Sequence, residues 1–495
     1  MALMPQPSIR NELRFILNGE DVSLRDVAPD DTLLDFLRLS RALKGTKEGC
    51  AEGDCGACTV LVGRLHGGRL VYESVNACIR FLGSLDATHV VTVEHLAGSE
   101  GRLHPVQQAM VDFHGSQCGF CTPGFVMSLY GLWMRSSDPS DAEIEQALQG
   151  NLCRCTGYEA IVRAARAIAT YGKAANDPLL AERQSIMERL AALRDGARVE
   201  IGTGRGRLIV PADVDDFARL REELPEATVV AGSTDVGLWV TKHMRDIAPV
   251  IFIGSLDGLK TVTEADGVLT IGAGVTYTEA FGLLAQRIPP LGALVSRIGG
   301  EQVRNMGTIG GNIANGSPIG DTPPPLIALG ARLTLRKGGE RRTIPLEDFF
   351  IAYGKQDSRP GEFVEAVHVP VPAPDRKFAV YKVTKRRDED ITATLGAFLL
   401  TLEGGTVQDI RIAYGGMAAT PKRAFAVEKA LIGRPWTEET VQAAMEKYAE
   451  DFTPLTDMRA TADYRALAAR NLLLRFHAET TGTASPLQVT RDRAA

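Results

Sequence analysis

The eight cysteines of this 495-residue chain all lie between residues 50 and 155, in two sets of four. The first set is Cys50, Cys55, Cys58 and Cys78, and the second is Cys118, Cys121, Cys153 and Cys155. In a reducing compartment, cysteines clustered in this way are more typical of metal or iron-sulfur ligands than of disulfides. The N-terminal third of the chain is therefore expected to fold as small metal-binding modules.

The first set has the spacing C-x4-C-x2-C in the stretch EGCAEGDCGAC, with Cys78 further along the chain. This is the pattern of a plant-type ferredoxin, in which four thiolates hold a [2Fe-2S] cluster. Glycines throughout the loop let backbone N–H groups approach the cluster sulfides closely. A structural zinc site is the alternative, although zinc ligands usually come as two short pairs.

The second set combines a C-x2-C pair, Cys118 and Cys121, with a C-x-C pair, Cys153 and Cys155. Alone, C-x2-C also fits a thioredoxin-like redox pair or half of a zinc site. Two such pairs at the starts of neighbouring helices can hold one compact cluster, because the helix N-termini offset its negative charge. The set predicts a second [2Fe-2S] cluster, with zinc as the alternative.

Size and charge limit the remaining possibilities. A 53.3 kDa chain with 44% hydrophobic residues is expected to form two to four domains. The net charge of −6 and the absence of a lysine or arginine block disfavour nucleic acid or an anionic membrane as partners. The first twenty residues lack a secretory pattern and no apolar run has transmembrane length, so the sequence predicts a cytoplasmic protein.

Local patterns predict several elements. Residues 13–25 are expected to form a hairpin around Asn18 and Gly19, followed by a short helix capped by Asp31. From residue 104 the apolar period becomes helical, with Pro105 at a first helical position and a capping box at Ser140. After residue 205 the texture is mixed α/β, and from about residue 376 a sheet with helices on one face is expected. His104, His114 and His477 show no metal-ligand spacing and are expected at the surface or as caps.

The flavin-like half begins with the strand and turn at residues 229–236, VVAGSTDV. Its glycine and hydroxyl side chains could meet a pyrophosphate, although most such turns are only turns. A Rossmann site is disfavoured because no G-x-G-x-x-G is present here. The stretch TIGGN at 308–312 repeats the theme, and Asp321 could accept a hydrogen bond from a ribose or ribityl hydroxyl.

The stretches EGCAEGDCGACTV, QCGFCTPGFVMS and NLCRCTGYEAI resemble the iron-sulfur half of the xanthine oxidase family of molybdenum hydroxylases. The resemblance continues into a flavin domain and covers essentially the whole chain, in the domain order of the small iron-sulfur/FAD subunits of bacterial xanthine dehydrogenases. It implies an α+β multidomain fold with these parts: a ferredoxin-like β-grasp [2Fe-2S] domain at 10–94, an all-α four-helix [2Fe-2S] domain at 95–172, an exposed linker at 173–200, a vanillyl-alcohol-oxidase/PCMH-type FAD domain at 201–375 and a C-terminal α+β flavoprotein domain at 376–482.

The resemblance also implies site residues. The first cysteine set would hold the cluster nearer the flavin and the second set the one nearer the molybdenum cofactor, with Gln117 at the pterin. FAD would contact Val229, Val230, Ala231, Gly232, Ser233, Thr234, Asp235, Val236, Thr308, Ile309, Gly310, Gly311, Asn312, Asp321, Val364 and Lys382. Ile298 stands where vertebrate members have an aromatic residue beside the isoalloxazine. Lys385, Arg387, Asp390 and Tyr353 would border the access of NAD to the flavin, although a mixed-charge run is more often a solvated face.

The function implied is electron transfer from purine oxidation, at a large molybdenum-binding partner subunit, through two [2Fe-2S] clusters to FAD and then to NAD. An α2β2 heterotetramer is expected. The alternative is the corresponding part of another molybdenum hydroxylase, acting on an aldehyde, a nicotinate-type ring or carbon monoxide. A zinc- and flavin-binding scaffold protein is the rival from another class.

Overall fold

The computed structural model describes residues 7–98, 101–136 and 138–483. These residues form two compact units. Unit 1 contains the chain as far as Asp257, together with Gly299–Gly307. Unit 2 contains Gly258–Ile298 and the chain from Thr308 onward.

The elements follow one another with short connections. The strands are β1 Ile9–Arg10, β2 Leu13–Leu17, β3 Glu20–Leu24, β4 Thr59–His66, β5 Arg69–Asn76, β6 His89–Val91, β7 Arg198–Thr203, β8 Gly206–Val210, β9 Thr228–Val230, β10 Val250–Phe252, β11 Val262–Ala265, β12 Val268–Gly272, β13 Arg332–Lys337, β14 Glu340–Pro345, β15 Phe350–Ala352, β16 Lys355–Gln356, β17 Phe363–Pro370, β18 Lys377–Val383, β19 Thr394–Glu403, β20 Thr406–Gly415 and β21 Lys422–Arg423. The α-helices are α1 Leu33–Asp35, α2 Pro105–Asp112, α3 Thr122–Arg135, α4 Asp141–Leu148, α5 Glu159–Tyr171, α6 Pro178–Ala181, α7 Arg183–Leu193, α8 Val214–Glu223, α9 Val236–Thr241, α10 Tyr277–Arg287, α11 Pro289–Val295, α12 Glu301–Met306, α13 Ile309–Asn315, α14 Pro323–Ala328, α15 Phe425–Leu431, α16 Glu438–Met445, α17 Tyr448–Asp451 and α18 Ala462–Thr481.

Unit 1 begins with a five-stranded sheet in the order β3-β2-β6-β4-β5, in which only β2 and β6 run parallel. The hairpin predicted around Asn18 is confirmed, and Asn18 has the positive φ that such a turn requires. The cap predicted for the next helix is wrong: Thr32, not Asp31, accepts a hydrogen bond from the first turn of α1. The carboxylate of Asp31 instead accepts from the N–H of Ala28.

Four helices, α2 to α5, follow and pack around their own apolar core. Pro105 opens α2, and Ser140 forms the predicted capping box with Glu143 at the start of α4. His104 caps α2 and His114 is exposed, as expected, but His477 is buried beside Trp436 in unit 2. The predicted four-helix domain is therefore present.

A second sheet of unit 1 has the order β1-β7-β8-β10-β9. Its apolar residues share one core with the first sheet, in which Phe81 meets Phe252 edge to face at 6.1 Å between ring centroids. A Cβ on Gly83 would lie 2.2 Å from the Phe252 ring, so the two sheets are in direct contact. The sheet around residues 198–252 is thus built onto the first sheet rather than standing apart from it.

The segment at 173–200 is not the exposed connector that the sequence predicts. Ile186 and Leu190 of α7 are buried in a small core with Ile16 and Leu70 of the first sheet. The amphipathic period of the helix was identified from the sequence, but the surface that covers its apolar face could not be read from that period. The limits of the five predicted segments remain a proposal.

Unit 2 contains an antiparallel sheet in the order β11-β12-β17-β13-β14 and a four-stranded sheet in the order β18-β19-β20-β21. Helices were expected on one face of the second sheet, and this is wrong because both faces are covered. Leu395 and Leu399 belong to a core shared with the antiparallel sheet and α14, whereas Phe398 and Leu400 pack with the C-terminal helices α15 to α18. Within the described ranges, no helix has both the length and the apolar character needed to cross a membrane.

Candidate redox cofactor sites

The first cysteine set forms one group of interacting thiols in unit 1. Cys50 interacts with Cys55 and Cys78, and Cys78 also interacts with Cys58. Hydrogen bonds from Cys55 and Cys78 lower the pKa of the Cys50 thiol, whereas its hydrogen bonds with Cys50 and Cys58 raise the pKa of Cys78. One thiol is thus readily ionised and its neighbours hold their protons, which a bound metal would displace.

The loop around these thiols has the predicted close backbone approach. The backbone N–H groups of Glu52 and Cys55 point at the Cys50 sulfur, at 3.5 and 3.4 Å. A Cβ on Gly49 would lie 2.8 Å from the Cys55 sulfur, and Gly53 has a φ of +78° that favours glycine. Four thiols within a wrap of backbone donors fit an iron-sulfur cluster, whose sulfur atoms accept such hydrogen bonds.

The second cysteine set is more open to solvent. The Cys155 sulfur lies 3.6 Å from that of Cys118 and 3.9 Å from that of Cys153, and Cys121 interacts with Cys153. Cys118 and Cys155 are exposed, whereas Cys153 is buried. Across the described part of the chain, no three His, Cys, Asp or Glu side chains have the arrangement of a single-ion site. The fit to a cluster therefore rests on these thiol pairs and their loops.

The predicted placement of both pairs at helix starts is half right. Cys121 immediately precedes α3, but α5 begins at Glu159, so Cys153 and Cys155 lie on a loop. The loop turns at Gly157 and Tyr158, which both have positive φ. The sequence reasoning missed Tyr158, whose hydroxyl accepts the Cys153 N–H at 3.0 Å.

Thr156, also missed, has its hydroxyl 3.0 Å from the Cys153 sulfur. Burial opposes ionisation of the Cys153 thiol, but hydrogen bonds from the Thr156 side chain and backbone lower its pKa to about 7. The loop therefore prepares this cysteine for metal binding. The only sequence signal for Thr156 and Tyr158 is their position in the run CRCTGY.

The turn at residues 229–236 belongs to unit 1 and lies between β9 and α9. A Cβ on Gly232 would meet the carbonyl oxygen of Met306 at 1.7 Å, so this glycine has a packing role whatever the turn binds. Ser233 is buried and has a φ of +58°, an unusual conformation for a side chain that is not glycine. Such strained positions concentrate at ligand sites, which supports the proposed flavin contact.

The stretch at 308–312 belongs to unit 2, where Thr308 caps α13 by accepting the N–H of Gly311 at 3.0 Å. A Cβ on Gly310 would lie 2.4 Å from the Cβ of Ala273, so α13 packs tightly on the turn after β12. Val364 is buried where β17 shifts register against β13, and Ile298 is partly buried against the same core. The contacts of FAD with these residues remain a proposal.

Asp321 and Lys382, predicted as separate flavin contacts, form a buried ion pair with each other. The ammonium of Lys382 lies 2.7 Å from the Asp321 carboxylate, and their side chains are 3% and 10% exposed. Lys382 also donates to the carbonyl of Arg297 at 2.9 Å, and the Thr392 hydroxyl donates to Asp321. The pair fixes the orientation of both groups in the interior of unit 2.

The mixed-charge run at 385–390 forms a closed loop. The Asp390 carboxylate accepts the N–H groups of Lys385 and Arg386 at 2.7 and 2.9 Å. Burial opposes ionisation of Asp390, but these hydrogen bonds lower the pKa of its carboxyl group. Arg387 and the turn residue Tyr353, which is 75% exposed, lie at the surface. A role of these residues in NAD access remains a proposal, as does a pterin contact of the exposed Gln117.

Four family models match the chain in succession. They are a 2Fe-2S iron-sulfur cluster binding domain (15–79), a [2Fe-2S] binding domain (92–166), an FAD binding domain in molybdopterin dehydrogenase (202–372) and a CO dehydrogenase flavoprotein C-terminal domain (379–480). The chain is the iron-sulfur and FAD portion of a molybdenum hydroxylase. The predicted fold class, the two [2Fe-2S] domains and the FAD domain are therefore confirmed.

Several molybdenum hydroxylases are similar to this chain. Xanthine dehydrogenase/oxidase of Gallus gallus is 32% identical, over 89% of this chain and 38% of that protein. Aldehyde oxidase 2 of Macaca fascicularis is 31% identical, over 95% of this chain and 39% of that protein. A carbon monoxide dehydrogenase chain from Hydrogenophaga pseudoflava is 30% identical with a TM-score of 0.52, over 54% of this chain and 93% of its own. The chain spans about two fifths of the length of the first two relatives.

Lys242, at the end of α9, is a charged neighbour of the first cluster loop. Its ammonium donates to the Cys50 carbonyl at 2.5 Å and lies 3.5 Å from the Glu52 carboxylate. We expect Lys242→Met to lower the midpoint potential of this cluster by about 10–40 mV, because half-exposed charges interact by about 0.2–1 kcal/mol and a tenfold one-electron ratio is 59 mV. EPR-monitored redox titration measures the shift.

Glu52→Gln is the matched control and should raise the same potential, since it removes the opposite charge. Shifts of the same sign in both variants would show that packing, rather than charge, is responsible.

Proposed function

We propose that the chain is the electron-transfer subunit of an NAD-dependent xanthine dehydrogenase. The observation that carries this is the fusion of both cysteine sets with the flavin domains in one chain, across 89% of which a xanthine dehydrogenase/oxidase is 32% identical. The purine would be oxidised at a large molybdenum-binding partner subunit, in an α2β2 heterotetramer. Reducing conditions that preserve thiol ligands favour a cytoplasmic location.

In this proposal the chain holds redox groups in series. Iron-sulfur clusters transfer single electrons, and FAD can pass a hydride to NAD. The chain's own residues supply the thiols, the backbone donors around Cys50 and the hydroxyl groups of Thr156 and Tyr158 around Cys153. The exposure of Cys118 and Cys155 supports a second cluster that faces the molybdenum subunit.

A second candidate is the same module in another molybdenum hydroxylase. The similarities to an aldehyde oxidase and to a carbon monoxide dehydrogenase favour it, because substrate is chosen outside this chain. Fusion of the cluster and flavin modules in a single chain supports the xanthine dehydrogenase assignment.

The deciding experiment is to purify the chain with the molybdenum-binding subunit that co-purifies with it and to assay the complex with NAD. Hypoxanthine, xanthine, an aldehyde, nicotinate and carbon monoxide are compared as reductants. Reduction of NAD by the two purines alone is expected. Turnover of only a non-purine reductant would replace the xanthine assignment with the second candidate.

Metal analysis of the purified chain checks the cofactor content. Two clusters predict about four irons and four labile sulfides per chain, with a brown colour from cluster absorption added to that of the flavin. Two structural zinc ions would instead leave a yellow, iron-free flavoprotein. An iron-free chain after anaerobic expression with ample iron would contradict the electron-transfer function.

A further inference from the structure

Gln302, on α12, is completely buried in unit 1 and was not identified by the sequence reasoning. Its side-chain nitrogen lies 3.1 Å from the Thr59 hydroxyl, 3.2 Å from the Ser128 hydroxyl and 3.0 Å from the Asn151 side-chain oxygen. The three acceptors belong to different segments. One amide group therefore connects parts of the chain that are far apart in sequence.

All three acceptors adjoin segments that carry cluster cysteines. Thr59 directly follows Cys58, a ligand of the first set, whereas Asn151 lies two residues before Cys153. Ser128 is on α3, which begins next to Cys121. Gln302 thus bonds the ligand-bearing segments of both [2Fe-2S] domains at once.

The direction of these hydrogen bonds is determined by their neighbours. The Thr59 hydroxyl donates to the Gly56 carbonyl at 2.6 Å, and the Ser128 hydroxyl donates to Asn151 at 2.7 Å. Both hydroxyl oxygens must therefore accept from Gln302, so its amide nitrogen has to face the junction. The amide oxygen is buried without a hydrogen-bond partner in the described structure, a cost that this orientation imposes.

The backbone around Gln302 leaves no room for adjustment. A Cβ on Gly150 would lie 1.9 Å from the Gln302 amide oxygen, and one on Gly56 would lie 2.1 Å from the Gly150 carbonyl. A Cβ on Gly124 would lie 2.1 Å from the Gly56 carbonyl. Three backbones therefore touch at glycines beside the amide, and a shift of one domain against the other must break these contacts.

We propose that Gln302 is a positioning residue that sets the separation of the two iron-sulfur clusters and hence the rate of electron transfer between them. The step is the transfer of one electron from the reduced second cluster to the oxidised first cluster, with no bond made or broken. Gln302 acts through residues beside the ligands and not on a cluster itself. The proposal requires both clusters in the chain but does not depend on which substrate the partner oxidises.

The test is Gln302→Met, which keeps the volume of the side chain and removes its donor, in the full chain within its complex with the molybdenum subunit. Low-temperature EPR of the dithionite-reduced complex measures the magnetic splitting between the clusters, which falls steeply with distance. We expect unchanged iron content and unchanged g values for each cluster, with loss or broadening of the splitting. Gln184→Met, at an exposed glutamine of α7, is the matched control and should keep the splitting.

An unchanged splitting in Gln302→Met would overturn the proposal. If that variant loses a cluster, Ser128→Ala removes one acceptor of the amide and is judged by the same splitting, which should again broaden. Loss of a cluster in both variants would also overturn the proposal, because the junction would then serve cluster retention instead of cluster separation. A splitting change with any active substrate leaves the proposal standing even if xanthine proves to be the wrong substrate.

Discussion

Replacing Cys153 with serine should lower purine-dependent reduction of NAD by at least about 100-fold in the complete complex, since even the loss of a residue that only supports a metal ligand costs 10–100-fold. Cys153 is buried, and its surroundings lower the pKa of its thiol to about 7, so it is prepared as a ligand. A serine oxygen is a harder and shorter ligand than a thiolate sulfur. EPR of the reduced protein should lose the signal of one cluster.

The same variant should still oxidise NADH with an artificial acceptor that takes electrons at the flavin. This activity bypasses the second cluster in the proposed order. Cys55→Ser is the matched variant in the first set, and it should remove the other EPR signal while also blocking purine-dependent NAD reduction. Equal loss of both activities in Cys153→Ser would count against the assigned order of the redox groups.

Replacing Lys382 with methionine should release most of the FAD and destabilise unit 2. The substitution leaves the buried Asp321 carboxylate without its 2.7 Å partner, and breaking a buried ion pair costs about 3–5 kcal/mol. Flavin absorbance after gel filtration measures FAD retention, and chemical denaturation measures the free energy of unfolding. Both should fall together.

Two further variants separate charge pairing from flavin binding. Lys377→Met changes an exposed lysine on the same strand and should leave stability and flavin content unchanged. The double variant Lys382→Met with Asp321→Asn removes both buried charges and should recover stability without recovering FAD. Full FAD content in Lys382→Met would reject the assignment of Lys382 to the flavin site and make the ion pair purely structural.

The iron-sulfur half was largely predictable because its ligands announce themselves in short segments. The spacing of Cys50, Cys55 and Cys58 determines the chemistry of the loop, and the glycines around it follow from the close backbone approach. The same holds for the capping box at Ser140, where both partners lie within one turn. Patterns of this kind depend on local geometry, which a sequence displays directly.

The flavin half and the junctions were less predictable because their partners are distant in sequence. Asp321 and Lys382 are 61 positions apart, so the sequence suggested two separate contacts and not one ion pair. Gln302 is an ordinary helical residue by local pattern, and only tertiary packing places it between Thr59, Ser128 and Asn151. The packing of α7 on the first sheet was missed for the same reason.

The core shared by the first sheet and the 198–252 sheet has a consequence for biosynthesis. A ribosome adds about 5–20 residues per second, so Phe81 emerges roughly 10–30 s before Phe252, the ring that covers it. During that interval the newly made ferredoxin-like region exposes an apolar surface that the finished protein conceals. We expect the nascent chain to require chaperone protection there, and a gene truncated after residue 172 to yield an aggregating product instead of a free-standing iron-sulfur protein.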